Sequence, residues 1–385
     1  MHVAVIRKVV SLKKAGAERY AVNLSRQLKK LGHRVTVIGE SIDEELLDEL
    51  EFLPVQVRNT TSWAKNQSFA RNALAVASRG GFDIVHGLSR VPGVDTFRLT
   101  DPLQAHWLKV FYTGLSGRLQ GMNPRHRTLL ELERGIYQGN RTRRIIVQSS
   151  LDAKLIQDYF GVPAEKIRLI RNGVDLQTFH FGTRQSGQDI REELRIGDAP
   201  LIVFAGMDFR RKGLGTLLEG MGRIQSKSAK LLVLGDGAIP EYERMANRLG
   251  IGDRVIFAGR RQGIARYYGA ADLFVLPTIY EPFPNVNLEA MACGTPAITT
   301  STAGGVDLID EGNNGYLISS ATAVEELTNT IDYHLALPSE EIERMRGCCV
   351  RTAEAFPVER NARETVAVFE EVLAERKNKR TSQAA

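Results

Sequence analysis

The chain has only three cysteines, Cys293, Cys348 and Cys349, and an odd number that includes an adjacent pair does not make a disulfide framework. A reducing compartment is therefore expected. No apolar run approaches the roughly 20 residues that span a bilayer, and the first apolar stretch, Val3 to Ile6, stops at Arg7 and Lys8. Neither a signal peptide nor a transmembrane helix is expected. Cysteine and histidine nowhere fall at zinc-binding spacing, and there is no Asp-x-Asp pair. Trp63 and Trp107 are the only tryptophans, they form no stacking platform, and no nucleic-acid-binding signature accompanies them, so nucleic acid is not an expected partner. Short repeats and low-complexity tracts are also missing.

What is present is a soluble-type composition, 43 % apolar and 25 % charged, over 385 residues, longer than one core usually grows. Two domains are the natural expectation. Charge is uneven: residues 1–175 carry 27 Lys+Arg against 17 Asp+Glu, and residues 176–385 carry 24 against 28. A basic first half points to an anionic partner such as a lipid surface, a phosphorylated glycan or nucleic acid, the last without a binding signature to support it.

The chain opens as strand, loop, helix, strand: Val3 to Ile6, a small-residue loop, a helix through Leu24 and Leu28 closed by Gly32, then His33 to Ile38. Further strands are expected at Asp83 to Gly87, Ile145 to Gln148 and Ile167 to Ile170. Residues 181–200 are polar and glycine-rich and read as a domain junction. A second set of alternating elements starts at Leu201. The fold class is α/β, two doubly wound parallel sheets, with domains at 1–178 and 179–357. A last amphipathic helix, 358–376, precedes what reads as a disordered basic tail.

The most informative stretch is E-P-F-P-N-V-N-L-E, Glu281 to Glu289, between the buried strand Leu273 to Leu276 and a helix closed by Gly294. Glu281 falls in the strand-to-helix loop and Glu289 on the helix, one turn after Asn285. Proline at 284 suits a helix start, whose free amides can seat hydroxyls or an anion. A carboxylate can bind two neighbouring hydroxyls of a sugar, although most glutamates are simply solvated. Arg210, Arg211 and Lys212, in F-R-R-K-G after a strand, can balance a diphosphate or be an ordinary basic loop. Asp101, in R-L-T-D before Pro102, falls on a strand end or in a loop, where the residues alone read it as a helix cap or turn residue. His86 reads as a structural strand-end histidine.

Glu281 to Glu289, with R-N-G-V-D at 171–175, resembles retaining glycosyltransferase family 4, and this resemblance covers nearly the whole chain. It implies the GT-B architecture, two Rossmann-like domains facing each other, the first binding acceptor and the second the nucleotide sugar, with the last helix packing back on the first. It assigns Glu281 to the donor sugar and Glu289 to the ribose. Phe283, Pro284 and Asn285 lie in the same donor segment. Arg211 and Lys212 take the diphosphate, Arg211 standing in for a family arginine replaced by Met207. Gly16, in A-G-A-E-R at 15–19, and Gly237 mark close backbone approach, and Arg260 lies in the segment that meets the base. V-P-G-V-D at 91–95 followed by R-L-T-D resembles the branch that builds the lipopolysaccharide core, in which Asp101 is catalytic with Glu281.

The resulting expectation is a retaining hexosyltransferase using UDP-glucose or a similar donor, with no metal or other cofactor. Its acceptor would be a lipid-linked or phosphorylated glycan. Residues 103–134, with Trp107, Phe111 and Leu115 among Lys109, Arg118, Arg125 and Arg127, would dock on an anionic membrane at the cytoplasmic face. A sugar-nucleotide epimerase on the same fold, or a non-catalytic binder of anionic polymer, are the competing classes. Transfer of label from the nucleotide sugar into a lipid fraction separates them.

Overall fold

A computed structural model describes residues 1–13, 16–112 and 120–384. Ala15, Leu115 and Arg118 lie outside the described residues. The chain forms two compact units, Met1–Gly173 with Val358–Ala385, and Val174–Pro357. The break falls at Gly173/Val174, where the sequence reading puts it after residue 178. The Val174 amide donates to the Phe356 carbonyl, so the two ends of the inserted unit are tied side by side.

The first unit contains β1 (His2–Ile6), β2 (Val9–Val10), α1 (Ala17–Lys30), β3 (Arg34–Gly39), β4 (Ser41–Ile42), β5 (Glu51–Pro54), α2 (Ser62–Arg79), β6 (Ile84–Gly87) and β7 (Thr96–Arg98). It continues with α3 (Gln104–Phe111), α4 (Pro124–Tyr137), β8 (Arg144–Val147), α5 (Ser150–Phe160) and β9 (Ile167–Leu169). Seven strands make one parallel sheet in the order β5-β3-β1-β6-β7-β8-β9, and β2 pairs with β4 separately. Strands covered on both faces need apolar side chains throughout, and Val3 to Ile6 are fully buried.

The second unit contains α6 (Thr183–Glu193), β10 (Leu201–Ala205), α7 (Leu214–Arg223), β11 (Lys230–Leu234), α8 (Ile239–Arg248), β12 (Val255–Gly259), α9 (Ile264–Ala270) and β13 (Leu273–Leu276). After these come α10 (Asn285–Ala292), β14 (Ala297–Thr300), β15 (Gly315–Ile318), α11 (Val324–Leu335) and α12 (Ser339–Glu354). Its parallel sheet runs β12-β11-β10-β13-β14-β15.

Two segments differ from the sequence reading. The polar stretch expected as a junction holds helix α6, which crosses α9 at backbone contact distance. A Cβ on Gly187 would lie 2.6 Å from the Ala270 nitrogen, and one on Gly269 would lie 2.4 Å from the Thr183 carbonyl. Gly187, which resembled linker composition, and Gly269 of α9 are what let these two helices touch. The expected tail is also helical: α13 runs from Val358 to Ala384 without a break. A packed helix adds one hydrogen bond for each further residue fixed, so polar residues at its end prolong it. Ala362, Phe369 and Val372 of α13 are buried in the core of the first unit, and Arg144 and Arg168 pair with its Glu371.

Candidate active site

In an open parallel sheet, ligands bind beyond the carboxyl ends of strands, where adjacent strands send their connections in opposite directions. In the second unit this point lies between β10 and β13. Residues 206–213 leave β10 and residues 277–284 leave β13. The Arg211 carbonyl accepts from the Ile279 amide at 2.9 Å and the Thr278 hydroxyl at 3.1 Å, which stitches the two loops together. Gly213 makes the close approach possible: its φ is 79° and a Cβ there would lie 1.9 Å from the Pro277 carbonyl oxygen.

This stitching sets Lys212 opposite Glu281. The ammonium donates to both carboxylate oxygens, at 2.7 and 2.5 Å, and Arg211 Nη1 lies 3.4 Å from the same carboxylate. Lys212 is only 6 % exposed. Burial alone would raise the Glu281 carboxyl, but Lys212 and Arg211 outweigh it and hold the group below the usual glutamate range. Burial pulls the Lys212 ammonium down from its ordinary value, against the attraction of Glu281. The sequence reading assigns Glu281 to the sugar and Lys212 to the diphosphate as separate tasks. The structure couples them in one ion-paired cluster.

The other expected donor residues group around this cluster in part. Glu289, on α10, is near enough to act on Lys212 electrostatically. Pro284 precedes α10 and no side chain caps that helix. The Phe283 ring belongs to the core of the unit, so what this residue offers a ligand is its backbone. Gly237 and Arg260 lie beyond the neighbouring ends of β11 and β12, where Arg260 pairs with Asp236 at 2.8 Å and reaches Met207 Sδ at 3.4 Å. Gly16 and Asp101 belong to the first unit. A larger open groove of about 1080 Å³ lies against β15 and α11, lined by Glu311, Glu325 and Tyr333, and it holds none of the expected residues.

The first unit has its own switch point, between β1 and β6, with a cavity of about 150 Å³. Arg7 leaves β1 there, Ser89 and Arg90 follow β6, and Asn66, Phe69, Leu129 and Leu132 close the sides. Asp101 does not cap α3, whose N-cap position is Leu103. Its carboxylate accepts from Arg7 at 3.1 Å, lies 3.8 Å from Arg90, and its side chain is 38 % exposed at the cavity. Burial would raise the carboxyl, but Arg7 and Arg90 hold it below the ordinary value. Arg7 also binds Glu18 at 3.0 Å. Sequence reasoning missed Arg7, Glu18 and Arg90 as site residues. Two signals were available: Arg7 stands directly after a fully apolar strand, and Glu18 lies in the A-G-A-E-R segment. His86 is buried and accepts from or donates to Thr96 at 2.8 Å, and burial pushes it down to about 3, so it is the neutral structural residue expected.

Residues 15–178 match the model of Glycosyltransferase Family 4, and residues 199–336 match that of Glycosyl transferases group 1. The chain is 23 % identical over 321 residues to the lipopolysaccharide glucosyltransferase WaaG of Escherichia coli (strain K12), covering 82 % of this chain and 85 % of that protein. It is 26 % identical over 381 residues to N-acetyl-alpha-D-glucosaminyl L-malate synthase of Bacillus anthracis, covering 94 % and 96 %. The crystal structure of WaaG superposes with a TM-score of 0.84 at 21 % identity, covering 95 % of this chain and 99 % of that one. Anabaena Alr3699/HepE in complex with UDP-glucose superposes with a TM-score of 0.72 at 18 % identity, covering 98 % and 100 %. Two adjoining family matches, each on its own parallel sheet, and the fold they share with WaaG make this chain a glycosyltransferase of the GT-B class, similar to the WaaG branch.

Proposed function

We propose that the enzyme moves a hexose from a nucleotide-diphosphate sugar, UDP-glucose being the leading donor, to a membrane-associated glycan such as a lipopolysaccharide core, with retention at the anomeric carbon. The observation that carries this reading is the Lys212–Arg211–Glu281 cluster, at a strand-end switch point beside the start of α10. Two cations beside the positive end of the α10 dipole suit a departing diphosphate. Glu281 and Glu289 supply acceptors for sugar and ribose hydroxyls. Arg211 takes the place of a cation at Met207. Asp101, at the mouth of the first unit's cavity, is the carboxylate that addresses the reacting sugar. The complexes of HepE with UDP and UDP-glucose support a nucleotide sugar as substrate. A screen of nucleotide sugars by thermal stabilisation tests the donor. A ligand at a hundred times its Kd adds about 2.7 kcal/mol of stability, and UDP-glucose is expected to raise Tm more than GDP- or ADP-sugars. A flat response to all of them would sink the reading.

The cations that face the diphosphate are part of the chain, so transfer is expected to continue in EDTA. Activity lost to chelation and restored by magnesium would contradict this.

Docking on an anionic leaflet at the cytoplasmic face would bring a lipid-linked acceptor to the first unit. On α3 only Gln104 is buried, leaving Trp107 and Phe111, stacked at 4.1 Å, part-exposed, while Arg125, Arg127 and Arg134 of α4 are exposed. Of the two acids in this segment, Glu133 is buried, which leaves Glu131 alone at the surface. No helix among the described residues is long and apolar enough to cross a membrane. Vesicle co-sedimentation is expected to need anionic lipid and to fall when Arg118, Arg125 and Arg127 become Gln. Binding indifferent to lipid charge, salt and these changes rules docking out.

A further inference from the structure

The loop that carries Asp101 is fastened from behind. Arg90 Nη2 donates to the Pro102 carbonyl at 2.5 Å, and its Nε donates to Glu133 Oε1 at 3.0 Å. The same Oε1 accepts from the Gln104 amide at 2.7 Å, and Oε2 accepts from the Ala105 amide at 3.2 Å. Glu133 therefore holds the first turn of α3, which lacks a capping side chain of its own, and Arg90 ties that turn to the Asp101–Pro102 segment. The Glu133 side chain is 1 % exposed and that of Arg90 13 %. A carboxylate this far from solvent carries a desolvation cost that a plain helix cap would not require. The two partners are 43 positions apart in the sequence.

We infer that Arg90 and Glu133 are positioning residues for glycosyl transfer: the buried pair sets where Asp101 stands and ties that placement to helix α3. The inference rests on the reading of Asp101 as the carboxylate that addresses the reacting sugar. Arg90 acts on Asp101 through charge at 3.8 Å and through the backbone of Pro102; Glu133 acts through Arg90 and the α3 amides. Among the described residues, other groups face this point, including His126, which bonds the Gln104 side chain at 3.1 Å. Arg7 pairs with Asp101 directly, Glu18 lies behind Arg7, Lys8 lines the same cavity, and Tyr137 and Thr100 sit against the cluster.

The test compares the full chain as wild type, Asp101→Asn, Arg90→Met, and the double variant Arg90→Met with Glu133→Gln. The double variant leaves no unpaired buried charge, and the oxygen of the side-chain amide that Glu133→Gln introduces can still accept from one of the two α3 amides; circular dichroism and Tm check that it is folded. Turnover is read with UDP-glucose and a lipid-A-linked oligosaccharide truncated at its inner core. UDP binding is read by calorimetry, the Asp101 carboxyl by carbon NMR titration, and the loop by hydrogen exchange over residues 99–112. Asp101→Asn is expected to lose turnover. Both Arg90 variants should lower kcat about 100-fold, the size of effect that follows a displacement near 1 Å. They should also raise the Asp101 titration by about one pH unit and speed exchange over 99–105, with UDP affinity unchanged. A folded double variant with wild-type kcat, titration and exchange overturns the inference. Asp101→Asn at the wild-type rate overturns the reading of Asp101 and the pair's role with it. A wild-type chain that binds UDP but transfers nothing overturns the chosen donor and acceptor alone, and titration and exchange then decide the pair.

Discussion

Glu281→Ala is expected to abolish transfer and to weaken UDP binding at the same time. Lys212 spends both of its short contacts on that one carboxylate and is almost wholly buried. Removing one partner of a buried ion pair leaves the other uncompensated, at a cost of roughly 3–5 kcal/mol. Lys212 would then lose its proton or its position, and Arg211 would lose the nearer of the carboxylates it faces, Glu281 rather than Asp208. The diphosphate would lose its cations, a loss of roughly 1–3 kcal/mol in UDP affinity for a charged hydrogen bond. Calorimetry with UDP alone decides. Full UDP affinity in Glu281→Ala would show that sugar and diphosphate are served by separate groups, as the sequence alone implied. The pH dependence has a definite sign. Native Glu281 ionises below the ordinary value, so its pairing stabilises in full above about pH 4.3 and is lost as pH falls through the lower native value. Wild type should therefore lose more stability than Glu281→Gln on acidification through this range.

The second large effect concerns α13. Ending the chain at Pro357 is expected to unfold the first unit and leave the second folded. The helix contributes Ala362, Phe369 and Val372 to one core cluster and Val368 to another, all buried. Phe369→Ala alone should cost about 3–5 kcal/mol, against a typical whole-domain stability of roughly 5–15 kcal/mol. The truncation also removes Glu371 from Arg144 and Arg168, Arg376 from Asp95, and Asn361 from the Tyr20 hydroxyl. Limited proteolysis reads the outcome: fragments from 174–357 should persist while 1–173 is digested. A truncated chain whose first unit resists protease as well as the full chain does would contradict the helix's role.

The parts of the fold that could be read in the sequence are those whose side chains repeat one property. β10, β13 and Val3 to Ile6 of β1 are uninterrupted apolar runs because both faces are covered. The helix α2 escaped because its buried face is Ala64, Ser68, Ala70, Ala73 and Ala77 around a single Phe69, a stripe of small residues with little hydrophobic contrast. β2 and β4 are two residues each, too short for any period. At the candidate site, Glu281 and Lys212 were visible because each sits in a local strand-loop-helix frame. Arg90 and Glu133 were not, since an isolated charge carries no mark of a partner tens of positions away.

The return of α13 to the first unit also sets an order in time. At roughly 5–20 residues per second, making residues 174–357 takes about 10 to 40 s. Through that interval β1 to β9 wait on the ribosome with the slot for Phe369 and Val372 unfilled. The second unit, contiguous in the chain, can close as soon as it emerges. The unit synthesised first is thus the last to finish, and its open sheet is the surface that needs guarding during synthesis.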